Sequence, residues 1–434
     1  MKVEQGSIMT INIEGFEPAE IMELIGTLAS YGSPRDKGCI LFGVGNDEYL
    51  DLLKKKYLEQ RFKSGISDEK FVEGPFAMGK THFVIQFSEI ARKMDCVTVF
   101  VPLTKEVNVS NSIFVYKQIA QEICPPGSYS KKGIKNLLIA CLEKIQEGCK
   151  QQSSTPEMAQ ELVRNIIDSI DDQDFKSDIF ARVVKSAFDA YIKRDTERFD
   201  AAVSWIRGDF GNKQNGKILN VSPVPKQEQN IMASRVLLSL CQLVKYSGFT
   251  GTVIIYDECE QGLHIGPKKE AKLQSLMLSE INSIINLQKG SVLIMYAITS
   301  NFRRDLMNLP PFQQRIIHTR GPFSKDNVMS PLIEIQQFPP GSTKKEFLVK
   351  IGEKLVDLVY LVAEKQGKSL VHPKESMYSL ITKLAEREYN EADYKRRMVK
   401  GTCSILTQLY DTGEMPSLEK IVTSLPIPEI DDEV

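Results

Sequence analysis

The chain has 434 residues, enough for two or three domains with cores of their own. Hydrophobic content of 42% and charged content of 26% are ordinary for a soluble globular protein, and a net charge of −1 argues against a chain-wide basic field for nucleic acid while leaving a local basic surface open. No apolar run approaches the roughly 20 residues of a membrane span, the opening "MKVEQGSIMT" lacks the pattern of a secretory leader, and the eight cysteines are scattered without a C-x-x-C pair, so the expectation is a cytoplasmic protein with buried reduced thiols rather than a zinc site.

In chain order, "PAEIMELIGTLAS" (18–30) predicts a helix with Ile21, Leu24, Ile25 and Leu28 on one face, broken by "YGSPRDKG". "CILFGVG" is a short apolar run that predicts a strand. "NDEYLDLLKKKYLEQRF" returns to helical spacing through Tyr49, Leu52, Leu53 and Tyr57. This lead-in, residues 1–66, reads as a docking or oligomerisation element. "KFVE" then predicts a strand, "HFVIQFSEIARKM" a helix with Phe83, Ile85, Phe87 and Ile90 inward, and "CVTVFVPL" (96–103) a second strand.

Residues 112 to 245 are mostly helical in pattern, from "SIFVYKQIAQEI" to "MASRVLLSLCQLVKYSG", with one Gly-, Asn- and Pro-rich stretch, "GDFGNKQNGKILNVSPVPKQ", that reads as a loop. "GTVIIYDECEQ" and "SVLIMYAITSNF" are apolar strands with polar ends. Beyond residue 340 the texture is helical: Thr343 and Glu346 have the spacing of a capping box, two further amphipathic helices follow, and the tail "PIPEIDDEV" is acidic and expected to be loose.

Between the first strand and its helix lies "GPFAMGKT" (74–81), which fits the phosphate-loop pattern G-x-x-x-x-G-K-[ST] in the strand–loop–helix context that pattern needs. Gly74 and Gly79 let the backbone turn its N–H groups toward phosphate oxygens. The helix adds its positive end. Lys80 brings a charge to the β- and γ-phosphates and Thr81 a hydroxyl to Mg²⁺. In "VIIYDE", a buried strand ending in Asp257 and Glu258 can hold Mg²⁺ through the first acid and orient or activate water through the second. A strand ending in a solvated acidic turn is the plainer alternative; Glu260 is a further acid with no assigned role, for which a solvated rim is the default. Thr299 and Asn301, at the end of the following strand, are candidates to contact the γ-phosphate or the water, as in ring-forming ATPases; a polar strand terminus is the alternative. Arg315 is the first candidate for a finger completing a neighbour's site and Arg304 the second; Arg396 and Arg397 could close over the phosphates from a lid. Each arginine could equally be a surface charge, and Trp205 and His82 read as packing or surface. Lys80 and Asp257 are 177 positions apart, far beyond the roughly 30 residues of one βαβ unit, so 112–245 is an insertion between core strands that carries partner specificity or serves as scaffold.

"LASYGSPRDKGCILFGVGNDEYLDLL", "GPFAMGKTHF", "CVTVFVPLT…IFVYKQIAQEI", "SGFTGTVIIYDECEQ" and "YKRRMVKGTCSIL" together resemble the BrxD-like ATP-binding proteins of bacteriophage-exclusion (BREX) systems. The resemblance covers most of the chain and is weakest in 125–230 and after 410. The loop filler departs from the family, which more often has a further glycine there. The resemblance implies an AAA+-like ATPase in an anti-phage gene cluster, often beside a DEAD-box-type helicase, and makes Arg396 the best placed of the late arginines. The expected fold class is therefore α/β: a P-loop AAA+-like core over 67–340 with a parallel sheet and the helical insertion at about 112–245, and a C-terminal helical lid over 341–434. The expected ligands are ATP and Mg²⁺. The expected partners are further copies of the chain, a helicase or other defence protein, and possibly DNA, with no membrane. A nucleotide-gated switch or adaptor with little hydrolysis is the alternative.

Overall fold

A computed structural model of the chain describes residues 13, 15–34, 37–76, 78–103, 111–127, 131–172, 174–260, 267–317, 319–335, 341–391 and 393–425. The acidic tail lies outside them. The first elements are α1 (Pro18–Tyr31), α2 (Cys39–Phe42), α3 (Asp47–Leu53) running into a π-helical stretch (Lys54–Arg61), β1 (Asp68–Glu73), α4 (Lys80–Lys93) and β2 (Cys96–Pro102). Seven helices follow: α5 (Ser112–Glu122), α6 (Ile134–Gln152), α7 (Pro156–Asp168), α8 (Asp178–Lys193), α9 (Thr196–Ile206), α10 (Lys213–Leu219) and α11 (Gln229–Tyr246). Then come β3 (Gly251–Asp257), α12 (Pro267–Ile285), β4 (Val292–Ile298), α13 (Ser300–Met307), α14 (Pro310–Ile316), β5 (Leu332–Glu334), α15 (Lys344–Lys365), α16 (Lys374–Glu388), α17 (Tyr394–Thr412) and α18 (Leu418–Ser424).

These elements form two compact units, one of Tyr49–Pro75 with Ile90–Glu334, the other of Met1–Glu48, Phe76–Glu89 and Ile335–Val434. The first is built on a five-stranded sheet of order β2-β3-β4-β1-β5, every pair parallel. All seven residues of β3 and of β4 are buried, which is why both read as continuous apolar runs rather than alternating ones. Register pairs Glu73 with Ile298 and with Glu334, and Tyr256 with Tyr296, so the carboxyl ends of β1, β3 and β4 share one edge. The rings of Phe71, Tyr296 and Tyr256 stack across three strands with centroids 5.6 and 5.3 Å apart. Glu280 of α12 accepts hydrogen bonds from both tyrosine hydroxyls, at 2.7 and 3.2 Å, and burial raises its carboxyl to about 7. The helices α5 to α11 intervene between β2 and β3, as the spacing anticipated, and bury Tyr116, Phe180, Phe188 and Trp205 in the core continuous with the sheet.

At Gly251 the strand leaves no room for a side chain: a Cβ there would meet the Ser291 carbonyl oxygen at 2.4 Å and the Phe62 ring at 2.6 Å. Backbone cannot yield as a flexible side chain would, and the neighbouring Thr252 N–H is bonded to that same carbonyl at 2.9 Å. Gly251→Ala is expected to lower unfolding stability by about 1–3 kcal/mol, read as a lower denaturant midpoint at unchanged slope.

The second unit is helical. Ile21, Ile25 and Leu28 of α1 pack with α15, α16 and α17 around Leu355, Val359, Ile381, Leu384, Met398 and Leu406. The capping box at α15 is present, with the Thr343 hydroxyl accepting from the Glu346 N–H at 3.2 Å and the Glu346 carboxylate accepting from the Thr343 N–H at 2.8 Å. As far as Glu48 the lead-in falls within this unit.

Two readings need correction. "CILF" is the helix α2 and not a strand: the Glu89 carboxylate of α4 accepts the Gly38 N–H at 2.6 Å and the Ile40 N–H at 2.9 Å, placing a negative charge at the positive end of a one-turn helix. Within the stretch taken as a loop lies α10, capped by the Asn212 side chain, which accepts from the Gln214 and Asn215 N–H groups, and closed by Asn220 in the left-handed region. The three-residue strand β5 was not anticipated.

Candidate phosphate-binding site

In the sheet unit the loop departs directly from a strand end. The Gly74 N–H donates to the Ile298 carbonyl at 3.3 Å, so the chain leaves β1 while still bonded to the end of β4. On the far side of β4, β3 ends at Asp257, which is 3% exposed, and the Asp257 carbonyl accepts the Leu103 N–H at 2.8 Å. Glu258 follows with φ +54°, a left-handed conformation that costs a non-glycine residue about 1 kcal/mol. Glu260 is half-buried.

Thr299 caps α13, its hydroxyl accepting the Phe302 N–H at 3.3 Å, and Asn301 on the first turn takes a hydrogen bond from Arg304. The oxygen of Thr299 thus has a structural task, and its O–H hydrogen remains available to an acceptor. Arg315 on α14 bonds Asn282 of α12 and pairs with Glu69 at 3.5 Å. Burial raises the Glu69 carboxyl and Arg315 opposes the rise. Sequence reasoning missed Arg303. Its guanidinium donates to Glu73, the last residue of β1, at 2.7 Å and to Glu334 of β5 at 3.2 Å. It ties α13 to two strand ends beside the loop. The adjacent arginines in "NFRRDL" looked alike in the sequence because only the sheet order shows which one meets β1.

In the helical unit, Gly79 has φ +96° and a Cβ built there would meet nothing within 4 Å, so the need for glycine is conformational and not steric. Its carbonyl accepts the Phe83 N–H at 2.9 Å, which starts α4 at Lys80. Phe83, Ile85 and Phe87 are buried as their spacing predicts, and Ile90 is half-buried. Lys80 is 7% exposed. His82 packs on the Phe42 ring at 4.9 Å; burial, then the charges of Lys354 and Lys395, hold its imidazole down at about 3.

The late basic run divides its tasks. Arg397 is buried against Glu388. Arg396 pairs with Asp393 at 3.7 Å, and its stem packs so closely on Gly32 that a Cβ there would meet it at 2.4 Å. Lys395 is the member that touches the loop: its Nζ donates to the Met78 carbonyl at 2.8 Å.

Among the described residues no group of three or more His, Cys, Asp or Glu side chains could hold a metal, and no helix is long and apolar enough to cross a membrane. All eight cysteines are buried with no disulfide among them. A search of curated proteins finds no match. A family model, the BREX system ATP-binding protein BrxC/D, matches residues 17–423. With a phosphate-loop sequence between β1 and α4 and that match across nearly the whole chain, the protein belongs to the BrxC/D family of BREX system ATP-binding proteins.

Proposed function

We propose that the chain is an AAA+-like ATPase that binds and hydrolyses ATP with Mg²⁺ in a bacterial anti-phage defence system. The observation that carries this reading is the shared sheet edge: the loop leaves β1, the acid pair ends β3, and the polar terminus Thr299 ends β4 between them. Gly74, Gly79 and Lys80 take the phosphates. Asp257 and Thr81 offer Mg²⁺ hard oxygen ligands, and the few protein donors suit an ion that keeps its waters and leans on substrate phosphates. Bound there, Mg²⁺ would neutralise charge developing on the phosphoryl oxygens. Glu258 accepts the proton of the attacking water, Thr299 and Asn301 hold the water or the γ-phosphate, and Arg396 is the late arginine assigned to the nucleotide.

Glu258→Gln tests the hydrolytic half. The amide keeps the shape and cannot take a proton, so ATP binding is expected to persist while turnover falls roughly a hundredfold or more. Undiminished turnover would move the role to Glu260 or elsewhere.

The reading extends to self-assembly and to action on DNA or on a helicase partner, with the helical insertion as the surface that sets the partner. One observation favours the alternative of a switch with little hydrolysis: Arg315 is engaged by Glu69 and Asn282 of its own chain. DNA binding measured against salt, with and without ATP, separates the two. An ATP-dependent affinity that falls steeply with salt supports action on DNA; no binding under any condition supports a protein partner.

A further inference from the structure

The loop's bulky filler has a counterpart in α17. Met78 is clamped twice: the Tyr394 hydroxyl approaches its sulfur at 3.7 Å, and Lys395 Nζ donates to its carbonyl at 2.8 Å. The two clamping residues are themselves held, Tyr394 under Lys344 Nζ at 3.8 Å from the ring centroid and Lys395 over the Phe347 ring at 5.1 Å. Among the described residues Lys395 makes no ion pair, and burial lowers its ammonium to about 8. A half-buried amine without a carboxylate gives up part of its hydration. What it obtains here is one backbone carbonyl in the phosphate loop.

That carbonyl belongs to the peptide joining Met78 to Gly79. The unit has no cis peptides among its described residues, and in a trans peptide the C=O and the following N–H point in opposite directions. Fixing the Met78 carbonyl on Lys395 therefore fixes the Gly79 N–H away from Lys395. Gly79 can hold that orientation because φ +96° is open to glycine, and its own carbonyl is already committed to the first turn of α4. Loop N–H groups of this kind are what cradles the phosphates of a bound nucleotide.

We infer that Lys395 is a positioning residue for nucleotide binding: by holding the Met78 carbonyl it presents the Gly79 N–H to the phosphates, without touching the nucleotide itself. This rests on the nucleotide reading of the loop.

The test compares MgATP and MgADP affinities by calorimetry in the full chain, with kcat at saturating ATP and denaturant midpoints measured alongside. Lys395→Met removes the donor at nearly constant shape; Lys395→Gln, whose side chain stops short of the carbonyl, is a second variant with the same expectation should the first fail to fold. Both affinities are expected to fall by the same factor, roughly ten- to a hundredfold for a lost charged hydrogen bond. The expected kcat stays within about threefold of wild type, since every interaction lost is made equally in ground and transition states. Lys395→Arg, which keeps a donor, is expected to recover most of the loss. Unchanged affinity in a folded variant overturns the inference. A loss confined to ATP overturns it too, because Lys395 would then be touching the γ-phosphate. A wild-type chain that binds neither nucleotide refutes the nucleotide reading itself and this inference with it, whereas a binding wild type with an equally tight Lys395→Met refutes this inference alone.

Discussion

Lys80→Ala is expected to lose nucleotide binding, with affinity falling by roughly two orders of magnitude or more, and with it any protective activity. Lys80 is the first residue of α4 and is 7% exposed, so its ammonium is largely withdrawn from water before any ligand arrives. A phosphate pair placed there without it would leave its charge buried and unmatched, a loss of about 2–5 kcal/mol in comparable truncations of buried charge pairs. The substitution keeps the backbone of the loop and of α4. Alanine is the best helix former at a helical position, and Gly79, which starts the helix through its carbonyl, is untouched. Denaturant midpoints measured alongside calorimetry separate a loss of affinity from a loss of fold. Lys80→Arg should recover little, because a planar fork cannot replace a compact point charge between two phosphates. Wild-type affinity in a folded Lys80→Ala chain would remove the loop from the site.

What could be read in the sequence was what local pattern controls. The loop declared itself through four residues at fixed spacing, and β3 and β4 through apolar runs long enough to be buried on both faces. The capping box of α15 needs only Thr343 and Glu346. Three of the failures, α2, Arg303 and Lys395, involve partners distant along the chain. The helix α2 has four residues and too little periodicity to show itself; its stabilising charge is Glu89, some fifty positions later. The helix α10, capped by Asn212, lies in a stretch whose Gly, Asn and Pro content reads as a loop, with Gly216 in the middle of the helix. That glycine is there for contact rather than flexibility: a Cβ would meet the Val221 carbonyl oxygen at 2.7 Å. Arg303 and Lys395 were invisible for the same reason, since one meets Glu73 from 230 positions away and the other meets Met78 from 317. Composition marked both stretches as basic. Which basic residue faced the loop depended on sheet order and helix phase.

Arg315 is expected to act on a neighbouring copy, and its loss to lower turnover on the order of a thousandfold while ATP affinity stays nearly intact. The structure gives a reason to look outside the chain. Arg315 pairs with Glu69, four residues before the end of β1 and therefore about 13 Å along the strand from where the loop departs. In the sheet unit it sits toward the opposite edge from Gly74, Asp257 and Thr299. A guanidinium so placed serves a phosphate only by being presented to another subunit. The pair with Glu69 complicates a simple deletion, because removing Arg315 also takes from a half-buried carboxyl its ion-pair partner. Glu69→Gln is the control: it releases Arg315 from that pair and spares the finger, so turnover should hold if the finger is real and fall if the pair is what matters. The decisive measurement mixes subunits. Lys80→Ala has a broken pocket and an intact finger, and Arg315→Ala has the reverse. Under a shared site, mixed assemblies contain some intact interfaces and recover activity that neither parent shows. A mixture that stays as inactive as its parents, although the two exchange subunits, removes Arg315 from the role. A chain that remains a monomer with ATP under all conditions removes the shared site altogether, and leaves the Arg315 contacts with Glu69 and Asn282 as structure within a nucleotide-gated switch.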